Sequence, residues 1–248
     1  MIIFTTFNKK IYEFSGEALI KSINEKMPKT KIVAYKEFKE DIGVQSVDIN
    51  KLKTLNKVIR DNIDIVHESF GGNAKKIENQ PFWNTRWPGW FRKIVMAHHA
   101  TCTKNYNDML LFIDSDVRFK KEINENVLRD LMDGAAIGIV KGDREAIESG
   151  FIAVDGTDPV SKELYNTFMD CFLSGQFKSY KRWDDGYVMT KIVEKLPSDW
   201  VHDFAEGKTA KKYTNSNGHT TNNQIVPFSE IAPYIEHDKG LHLKNNIK

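Results

Sequence analysis

The stretch LLFIDSDVRF, residues 110–119, runs through four large apolar residues, Leu110 to Ile113, and then breaks into Asp114, Ser115 and Asp116. Such a run reads as a buried strand. In a parallel α/β sheet the carboxyl ends of the strands open into the crevice where ligand sites form. Along an extended chain residues i and i+2 point to the same side, so Asp114 and Asp116 can face one ligand while Ser115 points away. Two ionised carboxylates held together repel, and a divalent cation with hard oxygen ligands removes the repulsion. Magnesium or manganese suits this pair better than zinc and keeps coordination positions open for substrate phosphates. The competing reading is a polar turn or a helix N-cap at a strand end.

These residues need a scaffold, and the rest of the chain supplies one by alternation. MIIFTTF reads as a first strand. In FSGEALIKSINEKMP the residues Phe14, Ala18, Leu19, Ile23 and Met27 recur at helical spacing, with Ser15 as N-cap and Pro28 as the stop. KIVAYKEF and VQSVDI return to strand-like runs, and a helix is expected over residues 52–62. Residues 71–90, with glycines, prolines and three tryptophans, read as an irregular loop whose aromatics, continuing to Phe91, wall a pocket or pack over the sheet. WFRKIVMAHHATCTKN reads as a helix, with Phe91, Ile94, Val95, Ala97 and Cys102 on its buried side. A helix near NENVLRDLMDG, buried runs AAIGIV and SGFIAV, and helices over 159–175 and 185–196 follow. Strands alternating with helices predict a layered α/β fold with a mostly parallel sheet. Residues 207–223, rich in Asn, Thr, Lys and Gly, read as a polar mobile loop and a candidate lid, and the C-terminal tail is basic. No internal repeat is present.

A chain of 248 residues can bury a substantial core within one large domain, so residues 1–248 are expected to form a single unit. The 36 basic and 34 acidic side chains nearly balance, which gives no electrostatic case for a nucleic-acid partner. The two cysteines, Cys102 and Cys171, are too few for a disulfide framework, which favours a reducing compartment. No segment approaches the length of a membrane span. The expectation is a soluble, cytoplasmic protein.

Four motifs then stand in a fixed order: WFRKIVMAHHA, MLLFIDSDVRF, ESGFIAVD, and RWDDGYVMTKI followed by HDKGLHLK. In that order they resemble the nucleotide-sugar-dependent glycosyltransferases of the GT-A fold, with the glycogenin-like, family 8 type retaining branch nearest in pattern. They look like that family's helix carrying a basic residue towards the donor, its strand into DxD, its Ser-Gly strand beneath the donor sugar, and its Asp-x-Gly turn with a late HxxG motif. The departures are Glu148 where Asn is usual before Ser-Gly, Asp185 where Gln is common, and a final lysine one position further on.

The resemblance implies a single GT-A, Rossmann-like domain and a set of roles. Asp114 and Asp116 would hold Mn2+ or Mg2+ against the diphosphate of a nucleotide sugar, with Asp116 the firmer ligand and Asp114 alternatively on the ribose. His237 would be a third ligand, with His242 its competitor, or else an ordinary histidine. Gly240 would let the backbone approach the phosphates, and Lys239 and Lys244 would neutralise their charge, unless the basic tail is only solvated. Of Arg92 and Lys93, about 100° apart on a helix, one can face the donor, and Arg92 is preferred for its bidentate guanidinium. Ser149 and Gly150 would lie beneath the donor sugar, and Thr5 and Thr6 beside the nucleoside. Asp184 and Asp185 would carry catalysis, as general base or as the group stabilising an oxocarbenium-like state, unless they cap the helix after Gly186. Trp183 stacks on a sugar or fills the core.

The expected function is thus metal-dependent transfer of a sugar, from a UDP-sugar by preference, to a glycan, protein or lipid acceptor with retention. The alternatives are an inverting GT-A transferase, a sugar nucleotidyltransferase, and a non-catalytic nucleotide-sugar-binding module. A nucleotidyltransferase normally shows a glycine-rich basic signature after the first strand, which TTFNKKIYEFSGEA lacks.

Overall fold

The computed structural model describes residues 1–61, 87–216, 218 and 220–238. Its centre is a sheet built in the order β3 (Gln45–Asp48), β2 (Lys31–Lys36), β1 (Ile2–Phe7), β4 (Met109–Ile113), β7 (Phe151–Asp155), β6 (Ile137–Ile139) and β8 (Val201–Asp203). Among the described residues, β7 alone runs against its neighbours, and the other pairings are parallel. This is the expected α/β class with a mixed, mostly parallel sheet.

Alternation along the strands sends side chains into two cores, as a sheet covered on both faces requires. Phe4, Phe112, Ile152 and Val154 face one core with the helices α2 (Lys53–Asp61), α3 (Trp87–His98), α5 (Pro159–Leu173) and α6 (Asp185–Val193). Ile3, Leu111, Ile113 and Ala153 face the other, with α1 (Glu17–Lys26) and α4 (Glu125–Met132). Sheet order reverses at β1: the chain leaves it towards β2 and β3 and returns on its other side as β4. That switch point opens a crevice beyond the carboxyl ends of β1 and β4.

Two small ribbons complete the fold. β5 (Val117–Phe119) pairs antiparallel with β11 (Ile235–His237), setting His237 opposite Val117. β9 (Lys211–Thr214) pairs antiparallel with β10 (Thr220–Gln224), so the stretch 207–223 contains a hairpin where composition alone suggested only irregular chain. Cross-strand pairing satisfies backbone groups that a polar composition leaves unspecified. The hairpin is tied to β11: Ser216 donates from its backbone N and its Oγ to Glu236, at 2.8 and 2.5 Å, and Asn215 Nδ2 donates to Asp238.

Two other local readings are corrected. The first helical segment starts at Lys9, where Asn8 Oδ1 accepts from Ile11 N at 2.8 Å, and a wide turn over Tyr12–Gly16 joins it to α1. Ser15 therefore does not cap. It is buried, and its Oγ bonds Ile11 O and Ser115 Oγ, at 3.2 and 2.9 Å. Trp87–Trp90 open α3 instead of ending a loop, because proline at position 88 suits a first helical turn. Phe91 is a core residue packed against Phe172, so it is no part of a substrate wall. The remainder of the 71–90 reading, up to residue 86, lies outside the described residues.

Candidate active site

The apolar strand β4 is fully buried and Asp114 continues it by one step, its N–H donating to Gly150 O at 3.1 Å. A turn follows, closed by Val117 N to Asp114 O at 3.2 Å. It separates the three residues as the alternation predicts. Ser115 turns to Ser15, on the α1 side, while Asp114 and Asp116 turn to the crevice. The β5–β11 pairing then delivers His237, whose Nε2 lies 3.1 Å from Asp116 Oδ1. One donor atom from each of Asp114, Asp116 and His237 lies within 4.8 Å of the others.

Two carboxylates and an imidazole form a donor set that manganese or magnesium accepts. Ligands about 2.1 Å from such an ion stand at most about 4.2 Å apart, so only a slight contraction is needed. The neighbouring backbone is shaped for the ring. A Cβ on Gly150 would stand 2.8 Å from His237 Cε1 and 3.4 Å from Asp114 Oδ2, closer to the ring than a side chain allows. His237 and Asp116 are both buried, at 5% and 6% exposure, which shields the cluster from competing water.

Lys93, and not Arg92, is the cation that α3 brings to this cluster. Its Nζ is 2.9 Å from Asp114 Oδ1, 2.6 Å from Asp185 Oδ2 and 2.9 Å from Ser149 Oγ. Burial disfavours its charge, but the Asp114 and Asp185 carboxylates outweigh that and hold its pKa above the ordinary lysine value. Arg92 points elsewhere, pairing with Glu37 just after β2 with Nε 2.7 Å from Oε1. Both positions have apolar residues three and four places on, so periodicity could not separate them. The rotation of α3 against the sheet does.

The second carboxylate pair divides in the same way. Asp184 caps α6, its Oδ1 accepting from Tyr187 N at 3.1 Å and its Oδ2 from Arg182 Nε at 2.8 Å. In the structure it serves as the N-cap of α6, the alternative reading given for this pair. Asp185 starts α6 and reaches Lys93. Gly186 permits this approach, because a Cβ there would sit 2.3 Å from Ile147 O. Burial pushes the Asp114 carboxyl up to about 6 against the pull of Lys93, and the charges of Asp116 and Asp185 push the same way as burial.

Of the first-strand pair, Thr5 is fully buried and shares a strand face with Ile3 and Phe7, the α1 side, away from Lys93. That corrects its assignment beside the nucleoside. Thr6 is half-buried on the opposite face, the α3 side, near the carboxyl end of β1. Trp183 belongs to the core, where it meets Phe177 edge-on. Lys239, Gly240, His242 and Lys244 lie outside the described residues. A cleft opens between α3, α5, α6 and β4, with Lys93, Asp114, Ser149 and Asp185 among its lining residues.

No family model matches the chain, and no curated protein matches it. Among solved structures, the chain is similar to apo mouse xyloside xylosyltransferase 1, at 12% identity and a TM-score of 0.49, over 82% of this chain and 85% of that one. It is similar to a glycosyltransferase involved in glycosylating the major capsid of PBCV-1, at 12% identity and a TM-score of 0.47, over 98% and 95%. It also resembles the apo bifunctional glycosyltransferase WbbM, at 15% identity and a TM-score of 0.47, over 83% of this chain and 38% of that one. The chain thus spans well under half of WbbM. Similarity at these values carries no argument about activity. Among the described residues, no helix is long and apolar enough to cross a membrane.

Proposed function

We propose that the chain is a single-domain GT-A glycosyltransferase that moves a sugar from a nucleotide diphosphate sugar, a UDP-sugar by preference, to an acceptor hydroxyl with retention. The observation that carries this reading is the convergence of Lys93, Asp114, Asp116, Ser149, Asp185 and His237 at the switch-point crevice. Those residues come from all four motifs that resemble the family, in its order. Three carboxylates against one ammonium leave the crevice net negative, a condition that favours a divalent cation. Asp114, Asp116 and His237 would hold that cation, which supplies Lewis-acid stabilisation of the departing diphosphate.

The remaining chemistry belongs to the chain's own residues. Lys93 sits between Asp114 and Asp185 with its charge retained, so it can turn to a phosphate or a sugar hydroxyl when a donor enters. Asp185, fixed at the first turn of α6, offers a carboxylate to positive charge developing at the sugar's anomeric carbon. Ser149 accepts from Lys93 Nζ, and Gly150 lies against His237 and Asp114. Retention is supported by the glycogenin-like order of Ser-Gly, Asp-x-Gly and HxxG.

The test is a thermal-shift panel of UDP, GDP, CMP and their sugars, each with and without Mn2+, on the wild type and Asp116→Ala. A nucleotide at about 100 times its dissociation constant adds roughly 2.7 kcal/mol of stability. We expect a Mn2+-dependent shift with UDP that Asp116→Ala abolishes, followed by sugar transfer whose anomeric product is read by NMR. Metal-dependent binding without turnover on varied acceptors would support a non-catalytic binding module instead. No shift with any nucleotide on folded protein would sink the reading.

A further inference from the structure

Glu148, the residue that departs from the family's Asn, is a buried carboxylate with a 7% exposed side chain. Arg144 Nη1 lies 2.6 Å from its Oε2. Its other oxygen, Oε1, lies 3.9 Å from Nδ1 of His237. The opposite ring nitrogen, Nε2, is 3.1 Å from Asp116 Oδ1. The imidazole therefore stands between two carboxylates, one on each nitrogen. The backbone holds Glu148 in place, its N–H donating to Val140 O at 2.7 Å, and the next two residues also address the site through Lys93 and His237.

A neutral imidazole carries one proton. If Nε2 is to offer its lone pair to a cation, that proton must sit on Nδ1, and the acceptor at Nδ1 decides the tautomer and the ring's orientation. We propose that Glu148 is a positioning residue, whose Oε1 accepts Nδ1–H of His237 and so presents the Nε2 lone pair to a divalent cation shared with Asp114 and Asp116. This rests on the metal-site reading above. A relative shift of about 1 Å brings Oε1 and Nδ1 to hydrogen-bond length. Arg144 has a separate part: it pairs with Oε2 and leaves Oε1 towards the ring.

The test is Mn2+ affinity, measured by electron paramagnetic resonance of the free ion, on wild type, His237→Ala, Glu148→Ala, Glu148→Gln and Arg144→Ala. It is joined by the ring 15N pattern of His237 with Zn2+ as a diamagnetic probe. Glu148→Ala is expected to weaken Mn2+ binding about 10- to 100-fold. Glu148→Gln, which keeps an acceptor oxygen, should recover most of it, and Arg144→Ala, which leaves Glu148 its Oε1, should lose less than Glu148→Ala. The Zn2+-loaded wild type should show His237 protonated at Nδ1. The proposal is overturned if Glu148→Ala binds as wild type, if Arg144→Ala falls as far as Glu148→Ala, or if the loaded wild type carries its proton on Nε2. That last measurement decides the matter even if Glu148→Ala does not fold. Absence of Mn2+ binding to wild type, or unchanged binding by His237→Ala, overturns the metal site itself together with this proposal.

Discussion

At the scale of residues, adjacent side chains of one type do different things because the backbone turns them to different neighbours. Asp184 and Asp185 make the contrast plain, one capping α6 and the other meeting Lys93. We predict that Asp184→Ala costs about 1 kcal/mol of stability, as loss of an N-cap does. Asp185→Asn should instead keep the fold, with Lys93 still paired to Asp114, while lowering transfer at least about 100-fold. Equal losses of activity in the two variants would contradict this division. Gly150 supplies a second residue-scale prediction, since a Cβ there would stand 2.8 Å from His237 Cε1. Gly150→Ala should displace the ring and weaken Mn2+ binding, read by the same titration, with Gly89→Ala as a control where nothing lies within 4 Å.

At the scale of elements, α3 and the turn that follows it are fixed against β2 by a buried polar contact as well as by apolar packing. Tyr35 Oη, from β2, is hydrogen-bonded to Nδ1 of His99 at 2.7 Å. Burial lowers the His99 pKa, and the charges of Lys104 and His98 lower it further. The folded state therefore binds fewer protons there than the unfolded chain. Its contribution to stability is present above the unfolded value of about 6.5 and is lost as pH falls through the lower folded value. We predict that the melting point drops between pH 7.5 and pH 5.5 less steeply in His99→Gln than in wild type. Identical slopes in the two would show that His99 does not titrate differently on folding.

At the scale of the whole molecule, one sheet carries two cores on its two faces, and consecutive residues of β4 enter different ones. Leu111 faces the α1 and α4 side, and Phe112 faces the α3 and α5 side. If the chain is one cooperative domain, damage to either face lowers the same transition. Leu111→Ala should cost about 2–5 kcal/mol and Phe112→Ala about 3–5 kcal/mol. In each variant a single transition, coincident by far-ultraviolet and near-ultraviolet circular dichroism, should move as a unit. Two separated steps, with each variant shifting only one, would refute a single domain.

The sequence by itself determined what depends on neighbours along the chain. The α/β class followed from strands alternating with helices, and the end of β4 from the switch of Ile113 to Asp114. The shared facing of Asp114 and Asp116, with Ser115 turned away, followed from the two-residue period of an extended chain. Tertiary structure decided what depends on rotation and long-range pairing. The choice of Lys93 over Arg92 needed the orientation of α3 on the sheet, and Thr5 was lost to the site because odd positions of β1 face α1. His237 joins Asp116 only through the β5–β11 ladder across 121 residues, and Glu148 meets its ring only there. Local periodicity records which side of an element is buried, but not which distant charge waits on that side. That is settled when the elements pack, because only then does each buried charge meet the partner that stabilises it.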